Sequence, residues 1–220
     1  MELERHNRPY MNADTIARLK ITLDHVTPVV LRRIEVPLAL RLHRLHLAMQ
    51  AAMGWTTDHR YEIRARDAGW GIPNDILATA IRSGMPSEIF AAAIRSGTLS
   101  GWDNGLIDAR RARLIDVIEQ VGIKPLKYVY DSGGYWQHTI IIERLIEPVP
   151  GVAYPRLIEA TGRCPPDDIG GEATADPTEL RNRIGGDFDP NLVDADGLAE
   201  ALARLTKRWS RKPATKRKPL

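Results

Sequence analysis

Histidine and carboxylate side chains are the groups in this 220-residue chain that could form a site for chemistry. Imidazole and carboxylate ligands together suit Zn²⁺, Mn²⁺ or Fe²⁺, and three such ligands leave a coordination position open for an activated water. No two of these side chains have the spacing of a His-Glu-x-x-His helix or of a zinc finger, so a shared site would depend on tertiary proximity. The candidate polar site consists of His46, His59, Asp131, His138, Glu143, Asp167 and Asp168.

The same side chains also have structural interpretations, which we favour over a metal site. His46 falls within the apolar stripe of a helical pattern, where a hydrogen-bonded core histidine is more common than a metal ligand. Asp131 and His138 can join the two strands of a hairpin. Asp167 and Asp168 follow two prolines, where carboxylates often cap a turn. We therefore expect no cofactor, with a divalent metal as the alternative.

The basic residues of the chain are concentrated at its C-terminal end. The formal net charge is +3, but residues 207–220 hold seven basic residues and no acidic ones. Without those seven, 24 basic residues face 28 acidic ones, so the rest of the chain carries a net charge of −4. Such a tail can attract nucleic-acid phosphates without sequence preference, and the alternative is a role in solubility alone. The charge balance gives no argument for a basic surface on the body. The tail residues are Lys207, Arg208, Arg211, Lys212, Lys216, Arg217 and Lys218.

Composition and targeting signals exclude several classes of protein. A hydrophobic share of 43% and a charged share of 27% are typical of a globular chain and exclude collagen, wholesale disorder and a disulfide miniprotein. The only cysteine, Cys164, cannot form an intramolecular disulfide and has no evident base partner for nucleophilic catalysis. From the polar first ten residues and the lack of a long apolar run we expect neither a signal peptide nor a membrane-spanning segment. We expect a cytoplasmic protein with no membrane partner.

Alternation of apolar and polar residues predicts five strands, and a period of three to four residues predicts three helices. The expected strands are residues 17–24, 29–36, 61–66, 127–131 and 136–143, and the expected helices are residues 42–53, 108–121 and 196–209. Asp108 is the expected N-cap of the second helix, and residues 148–190 should be mostly loop. The predicted fold class is α+β, a single domain in which helices cover a mixed or antiparallel sheet.

A tight turn is expected between the last two strands, because Gly133-Gly134 can supply the positive φ angles of a two-residue hairpin loop. In that register Asp131 faces Trp136 and Val129 faces His138. Asp131 and His138 are then diagonal neighbours on one face of the sheet, roughly 7 Å apart at Cα.

Four segments, in order along the chain, carry a resemblance to a known family. They are Leu45-His-Leu-Ala-Met-Gln-Ala-Ala-Met-Gly-Trp55 with His59, Tyr128-Val-Tyr-Asp-Ser-Gly-Gly-Tyr-Trp-Gln-His138 with Glu143, Cys164-Pro-Pro-Asp-Asp-Ile-Gly-Gly171, and Gly186-Asp-Phe-Asp-Pro190. Together with Pro28 before Leu31-Arg-Arg33, this set resembles the plasmid ORF-three-like (pRiA-type) family, also labelled the transposon-passenger TnpR family. The resemblance implies a compact α+β domain found in bacteria and on mobile elements. It implies no resolvase activity, because the catalytic order of a serine recombinase is not found.

Composition and the resemblance together indicate a domain layout. We expect residues 1–15 to form a polar leader and residues 210–220 a disordered basic tail, because neither has apolar periodicity, and the resemblance covers residues 16–209 as the family domain. Residues 75–101, with the repeated sequence Ala-Ile-Arg-Ser-Gly, resemble an insertion. The hairpin departs from the family pattern at Ser132 and Gly134, and the segment after Gly171 is shortened.

The expected function is that of a non-catalytic accessory protein of plasmid or transposon DNA. It would act through contacts with nucleic acid or with a protein partner from a mobile element, and the basic tail would serve as an electrostatic arm. The alternative is a metal-dependent hydrolase or nuclease centred on Asp131, His138 and Glu143, with His46 or His59 contributing. A toxin–antitoxin or transposase partner is a third interpretation.

Overall fold

An eight-stranded sheet forms the centre of the computed structural model, which describes residues 11–56, 59–73, 106–130, 136–169, 182, 184 and 188–210. Its strands are β1 (Ile16–Leu23), β2 (Leu31–Pro37), β3 (Tyr61–Ala65), β4 (Ala68–Gly71), β5 (Ile107–Asp108), β6 (Leu126–Tyr130), β7 (Trp136–Ile146) and β8 (Arg156–Thr161). Three helices accompany them in the described residues: α1 (Leu42–Met53), α2 (Leu114–Val121) and α3 (Ala195–Ser210). The single α+β domain predicted from the sequence is confirmed.

The strands follow the spatial order β5-β4-β3-β6-β7-β1-β2-β8. All neighbouring pairs are antiparallel except the short parallel pair of β4 and β5, so the sheet is mixed, as expected. The core lies on the helix-facing side of the central strands. In β1 this side carries Ala17, Leu19, Ile21 and Leu23, all fully buried.

Helix α1 begins and ends where the sequence pattern predicts. Gly54 follows it with φ 79° and ψ 24°, and its N–H donates to the carbonyl of Gln50. Such a left-handed residue satisfies one of the last helical carbonyls without the steric cost of a Cβ atom.

The prediction that α2 starts at Asp108 is wrong. Asp108 belongs to β5, and the helix begins at Leu114, where the Asp116 carboxylate accepts the backbone N–H of Arg113 at 2.8 Å. The intervening residues 109–113 instead form a turn that packs on the start of α1. There the N–H of Leu42 donates to Ala112 O, and that of His43 donates to Ala109 O. These backbone contacts compete with helix formation, and periodicity alone does not reveal them.

Three strands lie where the sequence pattern does not predict them: β8, β4 and the two-residue strand β5. The region predicted as loop, 148–190, contains β8, an edge strand paired with β2. Its outward-facing Arg156 and Glu159 bind charged residues of β2, so β8 lacks the apolar alternation by which a strand is recognised. β4 is four residues long and includes two glycines, which are rare in strands.

The predicted register of the last hairpin is also wrong. Tyr130 pairs with Trp136, and Tyr128 pairs with His138, one residue away from the pairing that a two-residue glycine turn requires. Asp131 and the turn itself lie outside the described residues, as do most of the leader, the predicted insertion and residues 211–220. Ser210 belongs to α3, so Lys207 and Arg208 are helical.

Candidate functional site

The two faces of the sheet separate the predicted site residues. His138 is fully buried on the helix side, whereas Glu143 is exposed on the outer side. The Glu143 carboxylate accepts a hydrogen bond from Arg33 Nε at 2.9 Å, and Arg33 also forms an ion pair with Glu159. His138 and Glu143 therefore cannot share a metal ion. Asp131, the third residue of the predicted centre, lies outside the described residues.

His46 lies on the buried face of α1, where its side chain takes part in a hydrogen-bonded network. Its Nδ1 lies 2.8 Å from the hydroxyl of Tyr128, which also accepts the Gln50 amide at 2.7 Å. Because that hydroxyl accepts from Gln50, it is free to donate its own hydrogen to Nδ1. The ring also stacks on Tyr61 with a centroid separation of 3.7 Å. Burial, and then the nearby His43, lower the pKa of His46 to about 3, so its imidazole is neutral.

His138 is a fully buried residue of β7, on the helix-facing side of the sheet. Among the described residues, neither ring nitrogen has a hydrogen-bond partner, and the ring meets Trp55 edge-on at 5.3 Å. Burial lowers the pKa of His138 to about 4, although backbone groups of Tyr128 and Trp136 and the charge of Asp24 act in the opposite direction. His138 is therefore a neutral imidazole in an aromatic setting.

Asp167 fastens the loop before the 3₁₀ turn Asp167–Ile169 to the end of α1. Its Oδ2 accepts from Thr56 Oγ1 at 2.8 Å and lies 3.4 Å from the hydroxyl of Tyr130. The indole of Trp55 donates to Pro165 O at 2.6 Å, and the indole of Trp136 donates to Asp167 O at 2.9 Å. Each tryptophan thus buries its ring and uses its N–H to position the loop.

The remaining candidates do not join these groups into one centre. His59 is exposed and meets Tyr130 edge-on at 5.7 Å, and Asp168 belongs to the 3₁₀ turn. Among the described residues, no three His, Cys, Asp or Glu side chains gather in a way that could hold a metal ion. The structure instead shows two separate features, the neutral His46 network and the Asp167 loop.

A basic end, which the charge balance does not predict, lies at the opposite end of α1 from the Asp167 loop. We use this name for Arg41, Arg44, Arg111, Lys207 and Arg208, all of them exposed. In the part of the chain that the structure describes, none of the five forms a salt bridge, whereas the adjacent Arg110 and Arg113 are paired with carboxylates.

Three segments meet to form the basic end. Arg41 is bridged to Arg113 through the backbone, which brings the 109–113 turn beside the start of α1. The guanidinium of Arg44 lies over the ring of Trp209 at 5.1 Å, which places the end of α3 there as well. These residues are far apart in sequence, so no local pattern predicts their proximity.

Comparisons with known proteins agree with this fold. Residues 15–197 match the family model described as plasmid pRiA4b ORF-3-like protein. The uncharacterized protein y4hQ of Sinorhizobium fredii is 39% identical over 216 residues, covering 92% of this chain and 98% of y4hQ. The crystal structure of a protein of unknown function from Methanosarcina mazei Go1 shares the fold, with a TM-score of 0.62, 24% identity, and coverage of 84% of this chain and 97% of that one. The chain belongs to the plasmid pRiA4b ORF-3-like family.

Proposed function

We propose that this protein is a non-catalytic accessory protein of plasmid or transposon DNA that binds duplex DNA without sequence preference through its basic end. The observation that carries this proposal is that three separate segments meet at one end of α1 and bear five basic side chains that form no salt bridge among the described residues. Phosphate contacts by Lys and Arg supply most of the affinity of such binding. The transposon-passenger label, a protein partner from a mobile element and a cytoplasmic location stay predictions that accord with this function.

The position of α3 strengthens the proposal. Lys207 and Arg208 lie in its last turn, and the sequence continues with five more basic residues and no acidic ones. The tail therefore departs from a surface that is already positive, and the two can contact one stretch of the phosphate backbone. Within the described residues, no helix has the length and apolar character needed to cross a bilayer.

The test is duplex DNA binding, measured by fluorescence anisotropy at 50 and 200 mM salt. The variant carries Arg41→Gln, Arg44→Gln and Arg111→Gln. If all three arginines contact phosphates, the slope of log affinity against log salt falls by about 0.9 for each. We expect at least a tenfold loss of affinity at the lower salt, and a further loss when residues 211–220 are removed.

A matched control removes three positive charges elsewhere, at Lys20, Lys124 and Arg144. It should retain most of the affinity, because those residues lie away from the basic end. Equal losses in the two triple variants would show that net charge alone governs binding. That result, or the absence of DNA binding by the native chain, would overturn the proposal.

A further inference from the structure

A cavity of about 920 Å³ opens between the C-terminal end of α1 and the N-terminal end of α3. Its apolar walls include Trp55, Phe188 and Leu198, and its charged residues are two arginines and two aspartates. This volume is in the range of sites that hold small organic molecules. Mostly apolar walls with a few fixed polar groups are also typical of such sites.

Arg32 of β2 lines this cavity and is only 1% exposed. Its Nε donates to Ala52 O at 2.7 Å, and its Nη1 donates to Leu31 O at 2.8 Å and Thr161 O at 2.7 Å. These three carbonyls fix the plane of the guanidinium. In the described part of the chain, Nη2 makes no hydrogen bond and Arg32 forms no ion pair.

A buried cation without a carboxylate partner is costly, and proteins normally pair such a charge. Burial lowers the pKa of Arg32, but a guanidinium remains charged at pH 7. The nearby Cys164 does not supply an anion, because burial raises the pKa of its thiol and keeps it protonated. Among the residues that the structure describes, the charge of Arg32 is therefore left without a counter-charge.

The two carboxylates that line the cavity serve other purposes. Asp167 accepts the Thr56 hydroxyl, and Asp194 Oδ1 accepts the N–H of Gly197 at 2.9 Å, at the start of α3. A second cavity cation, Arg163, lies over the ring of Phe188 at 5.0 Å. Its guanidinium forms no salt bridge among the described residues.

Segments that carry the family resemblance form much of this cavity. The opening strands contribute Arg32, and the segment Leu45–Trp55 contributes Trp55. The segment Cys164–Gly171 supplies residues 164–167, and the segment Gly186–Pro190 supplies Phe188. Residues distant in sequence thus meet around one buried guanidinium, which has no ion pair within the described ranges.

We propose that the cavity binds a small organic anion, in which a carboxylate or phosphate group accepts hydrogen bonds from Arg32 Nη2. An apolar or aromatic body of the ligand packs against Trp55 and Phe188. Arg163 contributes a second positive charge to the same group. This site is distinct from the basic end, and its ligand is a small molecule rather than a nucleic acid.

The test uses three probes of similar size, phenylacetate, phenyl phosphate and the neutral benzyl alcohol. Binding to the full chain is measured by isothermal titration calorimetry and by the fluorescence of the tryptophans. We expect at least one anionic probe to bind tenfold or more tightly than benzyl alcohol. The better of the two anions identifies a carboxylate or a phosphate as the natural group.

Two variants test the role of the arginines. Arg32→Lys keeps the charge but loses the planar donor fork, and it should weaken anion binding at least tenfold. Because Arg32 is buried and its replacement could disturb folding, Arg163→Gln at an exposed position provides a second test, with an expected threefold to tenfold loss. Arg204→Gln, on α3 outside the cavity, is the matched control and should bind as the native chain does.

Three results would overturn the proposal. These are equal affinity for benzyl alcohol and the anions, no anion binding up to 10 mM, a concentration on the order of the weakest affinities of interest, or native affinity in both arginine variants. The triple variant at Arg41, Arg44 and Arg111 must retain native anion binding, because a loss there would assign the probes to the basic end. Failure of DNA binding leaves this result unaffected, so the two proposals fail separately.

Discussion

At the scale of single residues, two neutral histidines link the stability of the core to pH. Burial holds the pKa of His46 at about 3 and that of His138 at about 4, both below the ordinary value of 6.5. Between these values the unfolded chain binds more protons than the folded protein, so acidification favours unfolding. The free energy of unfolding begins to decrease as the pH falls below about 6.5. Each histidine stops contributing to this decrease once the pH is below the pKa of that histidine in the folded protein.

We expect the free energy of unfolding to fall from pH 6.5 to pH 4 by up to about 1.4 kcal/mol per pH unit for each histidine. His138→Phe removes an imidazole with no hydrogen-bond partner, so stability at pH 7 should be equal or higher, by about 1 kcal/mol. Urea unfolding at pH 7, 6 and 5 measures both effects. If the free energy of unfolding depends on pH as steeply in His138→Phe as in the native chain, His138 must become protonated in the folded protein as readily as in the unfolded chain.

Glu35 is a second residue whose charge the fold depends on. Its side chain is fully buried on β2 and forms ion pairs with Arg18 of β1 and Arg156 of β8, at 2.6 and 2.7 Å. Burial alone would raise the pKa of Glu35, but the hydrogen bonds from the two arginines outweigh it and lower the pKa. The carboxylate thus joins three neighbouring strands.

Glu35→Gln should lower the free energy of unfolding by about 2–3 kcal/mol, because it leaves two guanidinium groups without their anion. This cost lies at or below the lower end of the roughly 3–5 kcal/mol expected for a buried pair, because both arginines are partly exposed and can be hydrated. The midpoint of urea unfolding measures the loss. Glu143→Gln breaks an exposed pair with Arg33 and should leave that midpoint nearly unchanged. Similar midpoints in the two variants would show that the buried ion pairs of Glu35 stabilise the fold no more than the exposed pair of Glu143 does.

At the scale of elements, periodicity in the sequence predicts those strands and helices that bury one regular face. The alternation in β1 and the apolar stripe of α1 each reflect one buried face, so both elements could be located from the sequence. The edge strand β8 could not, because its outward side chains are held by charges on β2 that lie more than a hundred residues away. The hairpin register failed for a related reason. A glycine pair allows a tight turn, but Tyr130 and Trp136 occupy the last described pair instead.

The candidate site could be predicted only in its parts. The motifs identify Trp55 and Asp167, but the sequence does not show that an indole and a hydroxyl of the α1 end hold that loop. Arg32 was part of a recognised motif, and the alternation of Val30, Ile34 and Val36 places it on the apolar face of the predicted strand, whereas the half-buried Arg33 lies on the other face. The packing of α1 on β2 shows that the Arg32 guanidinium is held inside the fold.

The two glycines that end α1 and α2 should respond differently to asparagine. Gly54 has φ 79° and ψ 24°, a left-handed conformation that asparagine tolerates, and an added Cβ would lie 3.4 Å from Leu198. Gly122 has φ 79° and ψ 179°, a region that is essentially restricted to glycine. Thermal unfolding should show a loss below about 1 kcal/mol for Gly54→Asn and about 2 kcal/mol for Gly122→Asn. No atom lies within 4 Å of the Cβ position at Gly122, so a larger loss at Gly54 would show that packing outweighs backbone strain.

At the scale of the whole molecule, the net charge of the body did not indicate its distribution. A body with a net charge of −4 was expected to give no argument for a basic surface, yet the fold gathers Arg41, Arg44 and Arg111 where α3 ends. The carboxylates nearest to this end, Asp108 and Asp116, form their salt bridges with Arg110 and Arg113. Among the described residues, Arg41, Arg44 and Arg111 therefore form no salt bridge.

Helix α3 connects the two proposed sites, since it borders the cavity at Leu198 and the basic end at Trp209. Its attachment is slight. Leu202 is its buried residue, and Thr206 adds a hydrogen bond to Pro155 O at 3.0 Å. The central strand β1, by contrast, is hydrogen-bonded on both sides and buries most of its helix-facing side chains. Such a difference in burial predicts that α3 opens more readily than the sheet.

Native-state hydrogen exchange should therefore show α3 amides exchanging through local opening, at a free energy well below that of β1 amides. Leu202→Ala removes the main apolar contact of α3, a change that costs about 2–5 kcal/mol in a packed site. We expect this variant to lose most of the protection of α3 while β1 retains its own. Leu205→Ala, at a half-buried position of the same helix, should have a smaller effect. Equal exchange free energies for α3 and β1 in the native chain would instead mean that the helix detaches only when the whole domain unfolds. The cavity and the basic end would then be lost only on global unfolding.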